Sequence, residues 1–271
     1  MRESVTVPLT NQGTAPVSVV VLTYLEELNL ETCLRSVAGW SKDIHVLDSG
    51  STDRTLEIAT RLAHQVHHHP YVDHASQIAH AIYTLPLQFD WVLLLDADRE
   101  VSDELKLNIS TVVSEPEQLV DGFYIAHRNV FRGHSVRGLN RWRLIFVRHS
   151  RVEVDDSELI DCRLRTEGST GFLKGEIIEH NLKENDLDFW IDKQQRYTTR
   201  LAAEEALRRA GHAGWSARPR LLGNPDERLI FFKRIWYRLP LFVRPFLYFG
   251  YRYIWKLGFL DGPDGFLFHF L

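Results

Sequence analysis

The chain has 271 residues, 44% of them apolar and 25% charged, with a formal net charge of −4. That length and balance suit one large or two small globular domains with a substantial core, and they exclude a disordered chain, a collagen-like sequence and a simple coiled coil. The acidic charge argues against a dedicated nucleic-acid binder, and two cysteines, Cys33 and Cys162, are too few for a disulfide scaffold.

The opening residues, MRESVTVPLTNQGT, are polar and lack the apolar core of a secretory signal. No window reaches about 18 uninterrupted apolar residues, so the expectation is a cytoplasmic chain without a spanning helix. Val17–Tyr24 (VSVVVLTY) reads as a strand covered on both faces. Leu30, Cys33, Leu34, Val37 and Ala38 then recur at helical spacing. Asp43–Asp48 (DIHVLD) is a second apolar strand ending in an acid, and Ser49-Gly50-Ser51-Thr52-Asp53 offers turn chemistry and N-cap hydroxyls for a helix continued by Leu56, Ala59 and Leu62. A short strand is expected near Gln65–His69 and a helix over His74–Thr84. Trp91–Leu95 (WVLLL) is a third buried strand, running into Asp96-Ala97-Asp98, and a helix capped at Ser102 follows with Leu105, Ile109 and Val112. This alternation predicts an α/β fold, a doubly wound, mostly parallel sheet with helices on both faces.

Ligands of such sheets bind beyond the carboxyl ends of the strands. Three polar clusters fall there: Thr23-Tyr24-Leu25-Glu26, Asp48-Ser49-Gly50-Ser51 and Asp96-Ala97-Asp98. No G-x-G-x-x-G follows the first strand and no G-x-x-x-x-G-K-[ST] occurs, which disfavours a dinucleotide oxidoreductase and a P-loop NTPase. Two carboxylates spaced i, i+2 at a strand end can bind a hard divalent cation, Mg²⁺ or Mn²⁺, together with substrate phosphate oxygens. Such a site neutralises a diphosphate leaving group. Asp48 can accept hydrogen bonds from a base or ribose.

The stretches SVVVLTYLEE, HVLDSGSTDRTLEIA and DWVLLLDADREVSDEL resemble, in order and spacing, the three signatures of family 2 nucleotide-sugar glycosyltransferases. The resemblance covers about residues 17–200, and the subgroup it is most similar to builds bacterial lipopolysaccharide core and other surface polysaccharides. It implies a GT-A fold and an inverting transfer of a sugar, hexosyltransferase-type, from a nucleoside diphosphate donor with Mg²⁺ or Mn²⁺. It also implies that Thr23, Tyr24 and Glu26 border the nucleotide, that Asp48 binds the base, and that Asp96 and Asp98 serve metal and ribose or diphosphate. Two departures stand out. Leu25 occupies a position where the family usually has Asn, and Gln77 is followed two places later by Ala79 rather than Asn.

In the second half, Gly122–Phe131 and Arg141–Arg148 read as strands, and Arg141 and Arg143 can face phosphate on donor or acceptor. An inverting transfer needs a base at the acceptor hydroxyl. Asp155, Asp156, Glu158 and Asp161 are the candidates, and Glu158 is preferred because related sequences carry a glutamate of a His-Glu pair there. His180, in EIIEHN, matches a position often occupied by His in the subgroup and is a candidate for metal or diphosphate, or a structural histidine. Asp186–Ala210 reads as a long helix with Phe189, Tyr197, Leu201 and Leu207 as packing positions. Its Gln194-Gln195-Arg196-Tyr197 looks like a reduced Q-x-x-R-W motif, which makes Arg196 a phosphate candidate. His67, His68 and His69 do not read as a zinc site, since adjacent strand residues point to opposite faces. Cys33 reads as core, and Cys162 has no nearby base to make it a nucleophile.

Fifteen of the 31 Phe, Trp and Tyr residues lie in residues 229–271, with six basic residues against two acids. This composition suits an interfacial segment with rings at headgroup level and cations toward anionic lipid, or a helical cap on the domain. The expected organisation is a polar segment 1–16, a GT-A domain 17–217 and an amphipathic extension 218–271, peripheral on the inner face of the cytoplasmic membrane. The expected partners are a nucleoside diphosphate sugar, a glycan or lipid-linked acceptor and an anionic membrane surface, and not nucleic acid. The competing readings are a sugar nucleotidyltransferase, whose Gly-rich phosphate loop after the first strand is missing from TYLEELNLE, and a non-catalytic membrane-bound glycan-binding or scaffolding protein.

Overall fold

The structure, a computed structural model, describes residues 14–115, 120–157, 162–212 and 214–270. In the first half it runs β1 (Ala15–Thr23), α1 (Leu30–Val37), β2 (Ser41–Asp48), α2 (Thr55–Leu62), β3 (Gln65–His68), α3 (His74–Tyr83), β4 (Trp91–Asp96), β5 (Arg99–Val101) and α4 (Asp103–Ser114). The β-branched apolar run of β1 is why it lies in mid-sheet. Val19 and Val21 point into the core under α1, α2 and α4, while Val20 points into a second core against α3. β1 pairs in parallel with β2 and β4, and β2 with β3. The side chains of Asp73 and Ser102 cap α3 and α4. Ala38 and Leu56, expected on buried helix faces, are exposed; Val37 ends the face of α1, and Ile58 takes the inward place in α2.

The second half departs from simple alternation. β6 (Val120–Phe131) and β7 (His134–Arg148) form an antiparallel hairpin, longer than the two strands expected, that turns at Arg132-Gly133. Both turn residues have positive φ, 50° and 81°, as a two-residue hairpin of type I′ requires. β8 (Val152–Asp155) and β9 (Arg163–Thr166) make a small separate sheet, and β10 (Ser169–Glu179) pairs with β6 in parallel and with β5 antiparallel. The eight-stranded order is β3-β2-β1-β4-β7-β6-β10-β5. The fold is therefore the expected α/β doubly wound sheet, parallel in its first half and mixed in its second.

α5 (Leu187–Arg209) is capped by Asp186. Tyr197 and Leu207, expected as packing positions, are exposed, and the buried residue on this helix is Glu204, paired with Arg208. Arg208 in turn stacks over Trp215 at 4.1 Å, so a polar and cation–π seam seats this part of α5 in place of an apolar stripe. The C-terminal segment contains α6 (Pro225–Trp236), α7 (Arg244–Phe249), a π-helical stretch at Gly250–Trp255 and α8 (Gly262–Phe270). It is anchored by polar contacts: Asp226 accepts from the Tyr124 hydroxyl at 2.7 Å and pairs with Arg163, Asp261 pairs with Arg137, and Arg244 binds Glu205. Among the described residues no helix is long and apolar enough to cross a membrane.

Candidate functional site

The ends of β1, β2 and β4 lie side by side, with Thr23 in register with Asp48 and Leu22 with Asp96. The chain is tied as it leaves the sheet: Ser49 N donates to Thr23 O at 3.0 Å and Ala97 N to Leu22 O at 3.1 Å. This brings together Thr23, Tyr24, Glu26, Asp48, Asp96 and Asp98. Tyr24 is 54% exposed, a free ring at the rim. Thr23 is buried, and its Oγ1 has no hydrogen-bond partner. Asp48 is 1% exposed, and its carboxylate accepts from Gly50 N and Ser51 N, both at 2.8 Å, and from the Ser51 hydroxyl. Its turn supplies two bonds to Oδ2 and one to Oδ1, which leaves Oδ1 able to accept another. The Ser51 hydroxyl, expected as a helix cap, instead joins that turn to the first loop by accepting from Leu25 N at 2.8 Å. Asp53 is the acid at the start of α2, where its Oδ1 accepts from Thr55 N at 3.0 Å.

Leu25 has φ of 54°, in the left-handed region that Asn and Gly tolerate better than Leu. That conformation explains why an Asn is the usual residue there and why Leu stands as a departure. Glu26 reaches across the chain: it pairs with Lys183 and accepts from Asn29 Nδ2 at 2.8 Å, clamping the first loop to the turn after β10. Lys183 carried no motif signal, and this long-range contact was not legible from spacing.

The Asp96-Ala97-Asp98 turn is pinned from both sides, with His180 N donating to Asp98 O at 2.9 Å. The two carboxyls differ sharply. Burial works against the charge of Asp96, but Arg99, His74, Arg143 and Lys193 hold its carboxyl below the usual range, and it forms an ion pair with Arg99. Asp98 is pushed well above the usual range by burial and by the negative charges of Glu179, Asp96 and Glu26. Its Oδ1 is buried with no hydrogen-bond partner. A carboxylate so placed fits a hard cation, which would relieve both the burial and the crowding of charge. Among the described residues no group of three His, Cys, Asp or Glu is placed to hold a metal alone. Mg²⁺ and Mn²⁺ take one or two protein carboxylates and complete their shells with water and phosphate oxygens, a donor set that Asp96 and Asp98 fit.

His180 is held near this turn by its backbone, while its ring Nε2 pairs with Glu100 at 2.7 Å. Arg196 lies on an exposed face of α5. One turn earlier, Lys193 is the basic residue of this helix whose charge reaches both acids; burial opposes its charge, but Glu184, Asp98 and Glu179 sustain it. Glu158 and Asp161 lie outside the described residues. Asp155 accepts from Ser157 N at 2.9 Å and pairs with Arg165, while Asp156 is exposed. Asp96 and Arg99 open into a cavity of about 570 Å³, whose other walls include Arg141, Trp142 and Arg143 of β7 and Phe232, Trp236, Tyr248 and Tyr251 of the C-terminal segment. Around β3 the histidine rings stack in pairs, His45 on His67 and His69 on His80.

An acidic crevice lies at the carboxyl ends of this doubly wound sheet, the place where α/β proteins of this class bind their ligands. Residues 18–153 match the family Glycosyl transferase family 2, half of the chain, and the protein belongs to that family of glycosyltransferases, with their GT-A type of sheet. An uncharacterized glycosyltransferase of Rickettsia bellii is 31% identical over 105 residues, which are 39% of this chain and 35% of that protein. A TPR repeat-containing protein of Synechococcus elongatus is 33% identical over 105 residues, 39% of this chain and 26% of that one. The matched stretch thus spans about a third or less of these relatives. Among solved structures, Staphylococcus aureus TarS 1-349 in complex with UDP-GlcNAc is 22% identical with a TM-score of 0.37, covering 43% of this chain and 35% of that one. Glucosyl-3-phosphoglycerate synthase from Mycobacterium tuberculosis, in complex with Mn²⁺, UDP and glucosyl-3-phosphoglycerate, is 21% identical with a TM-score of 0.32, covering 44% and 45%.

Proposed function

We propose that the chain transfers a sugar, with inversion, from a nucleoside diphosphate donor to a glycan or lipid-linked acceptor of a cell-surface polysaccharide or lipopolysaccharide. The observation that carries this reading is the Asp98 carboxyl, raised well above its usual range and with an oxygen left buried and unbonded. Asp98, with Asp96 beside it, would hold Mg²⁺ or Mn²⁺. When bound, the cation supplies charge neutralisation for the diphosphate as the sugar–phosphate bond breaks. The chain's own cations add to this: Arg99 orients Asp96, and Arg143 and Lys193 bring positive charge toward the same acids. Tyr24 offers an exposed ring to the nucleotide base at the rim. Glu158 is the proposed base, taking the proton of the acceptor hydroxyl on the face opposite the departing diphosphate. His180 lines a small cavity with Asp98 and Arg99 while its ring Nε2 pairs with Glu100, and it stays a candidate for metal or diphosphate, as Arg196 does for phosphate; Lys193 of α5 adds a further cation toward the acids.

The C-terminal segment supports work at a membrane surface. Phe242, Phe246 and Trp255 are 88%, 78% and 80% exposed, and Arg and Lys residues are interleaved with them. Rings at headgroup level and cations toward anionic lipid would hold the enzyme peripherally beside a lipid-linked acceptor. A thermal-shift screen of nucleoside diphosphates and their sugars, each with and without Mn²⁺, tests the donor reading: a ligand of the native state raises the melting temperature. One nucleotide series should stabilise the chain only with the metal present. A screen in which none does so would remove the donor assignment.

A further inference from the structure

The turn after β10 is a short 3₁₀ stretch, Leu182–Asn185, entered through Asn181, whose positive φ of 27° bends the chain away from the sheet. All four of its residues make long-range contacts, to three parts of the molecule. Leu182 N donates to Asn29 Oδ1 at 3.0 Å, and Lys183 pairs with Glu26 and donates to Leu25 O at 3.3 Å. Glu184 pairs with Lys193 of α5 at 2.5 Å, and Asn185 Oδ1 accepts from Arg132 N in the hairpin turn at 3.2 Å. Immediately before this turn, His180 N donates to Asp98 O at 2.9 Å. Loops are ordinarily the mobile parts of a fold, and bonds this closely spaced fix one in place. The turn is thus tied to the loop between β1 and α1 on one side and to the Asp96-Ala97-Asp98 turn on the other.

Beneath these ties lies a small cavity of about 140 Å³, whose walls include Asn29, Cys33, Asp98, His180 and Leu182. The bond from Leu182 to Asn29 therefore joins two walls of the cavity that holds Asp98. Asn29 is 3% exposed, and its side chain is used at both ends: Oδ1 takes Leu182 N, while Nδ2 donates to Glu26 Oε2 at 2.8 Å. The Lys183 ammonium meets the other oxygen of that carboxylate. Glu26 is therefore held between Asn29 and Lys183, one on each oxygen. Leu25, beside it, has φ of 54°, a conformation that persists for such a residue only where its surroundings over-determine it. The bond from Lys183 to the Leu25 carbonyl is one of those determinants.

We infer that Lys183 is a positioning residue: through Glu26 and the Leu25 carbonyl it latches the first loop across the Asp98 cavity, so that the loop carrying Tyr24 and the acid that takes the cation are held in one arrangement for the donor. The role toward the donor rests on the transfer reading; the latch itself rests on the contacts. Lys183 acts through Glu26 and Leu25 and not on the donor itself. Its ammonium carries three donors on a flexible stem, which suits it to hold a carboxylate and a carbonyl at once. Without it Glu26 keeps Asn29 on one oxygen, the charge on the other goes unanswered, and the loop is free to move off the cavity.

Cys33, a wall of the cavity and 1% exposed, reports on the latch without any ligand. The full chain is treated with N-ethylmaleimide and each cysteine is followed by peptide mass mapping. Cys33 belongs to the first core and Cys162 packs against the second, so Cys162 serves as the internal control. Lys183→Met should speed labelling of Cys33 by at least about tenfold and leave Cys162 unchanged, and Lys183→Arg should restore protection, as a link carried by a cation requires. UDP affinity in the presence of Mn²⁺, read by calorimetry, should fall about tenfold in Lys183→Met and recover in Lys183→Arg. The double variant Glu26→Gln/Lys183→Met should lose no more than the worse single variant, because both changes break one link. Cys33 labelling unaltered in Lys183→Met, or both cysteines faster together, overturns the latch. A faster Cys33 with unchanged UDP affinity, or additive losses in the double variant, overturns the positioning role. A wild type whose Cys33 is guarded by Lys183 but which takes no UDP with Mn²⁺ supports the latch and counts against the transfer reading, so the two failures are told apart.

Discussion

The strand-end crevice and the C-terminal segment are opposite in almost every respect. In the crevice the backbone is tied at each exit, the buried Thr23 Oγ1, Arg99 Nε and Asp98 Oδ1 lack hydrogen-bond partners, and the unmet charge is negative, at Asp98. In the C-terminal segment large rings face outward, polar anchors hold the segment to the domain, and the unmet charge is positive, at Arg252. The difference teaches that the same physical signature, a buried charge without a partner, has opposite chemical meaning in the two regions. Asp98 calls for a cation, whereas the Arg252 guanidinium lies between Tyr248 and Phe268, whose ring faces meet its charge.

That contrast can be broken or sharpened. The largest effect is expected at the base. Glu158→Gln should leave donor affinity intact and slow transfer by about 10²–10⁴-fold, the usual share of a positioned base. Steady-state kinetics beside calorimetry reads this directly, and near-normal turnover would hand the role to Asp155, Asp156 or Asp161. Next in size is the outward face. Replacing Phe242, Phe246 and Trp255 together with Ser should weaken co-sedimentation with anionic vesicles by at least about tenfold, because each ring contributes of order 1.5–3 kcal/mol when buried. Circular dichroism should stay unchanged, since these side chains touch little of the fold. Retained vesicle binding would make the segment a cap and not an anchor.

A third expectation concerns pH. The Asp98 carboxyl titrates above the usual carboxylate range, so it gains a proton while ordinary carboxylates are still ionised. Cation binding must displace that proton, and metal-supported UDP affinity should fall with pH through the Asp98 transition, by at most about tenfold per unit. Calorimetry in buffers of different ionisation heat should register the released proton. A flat profile would mean that Asp98 is already ionised when free. The smallest effect lies at Leu25. Leu25→Asn should stabilise the fold by about 1 kcal/mol, by relieving a left-handed conformation that Leu tolerates poorly. Urea denaturation checks it, and an unchanged midpoint would show that the loop relaxes around Leu.

Much of the first half was legible because the relevant physics is local. A β-branched run makes β1, an acid at the end of each apolar strand marks the crevice, and Asp73 and Ser102 begin their helices where their side chains can cap. What escaped reading depended on partners far along the chain. Lys183 meets Glu26 and His180 N meets Asp98 O only because β10 returns to pair with β5 beside the Asp96-Ala97-Asp98 turn. Asp48 reads as a ligand for the base, and its carboxylate also accepts from Gly50 N and Ser51 N, a second task that spacing alone does not reveal. Arg252 sat within a run of aromatics and cations as one basic residue among six. Its burial between Tyr248 and Phe268 is a property of packing, and no periodicity announced it.

Ionised Asp98 is disfavoured by burial and by the acids around it until a cation meets it. Its folded-state affinity for a proton is raised, so ionisation destabilises the metal-free fold at neutral pH, and stability should rise as pH falls toward protonation. Asp98→Asn keeps the shape and removes the charge. Melting of wild type and Asp98→Asn at neutral pH, followed by titration of each with UDP in the presence of Mn²⁺, tests this most directly. The variant should melt higher than the metal-free wild type and lose metal-supported UDP binding. A variant that melts no higher and binds UDP with Mn²⁺ as the wild type does would contradict it.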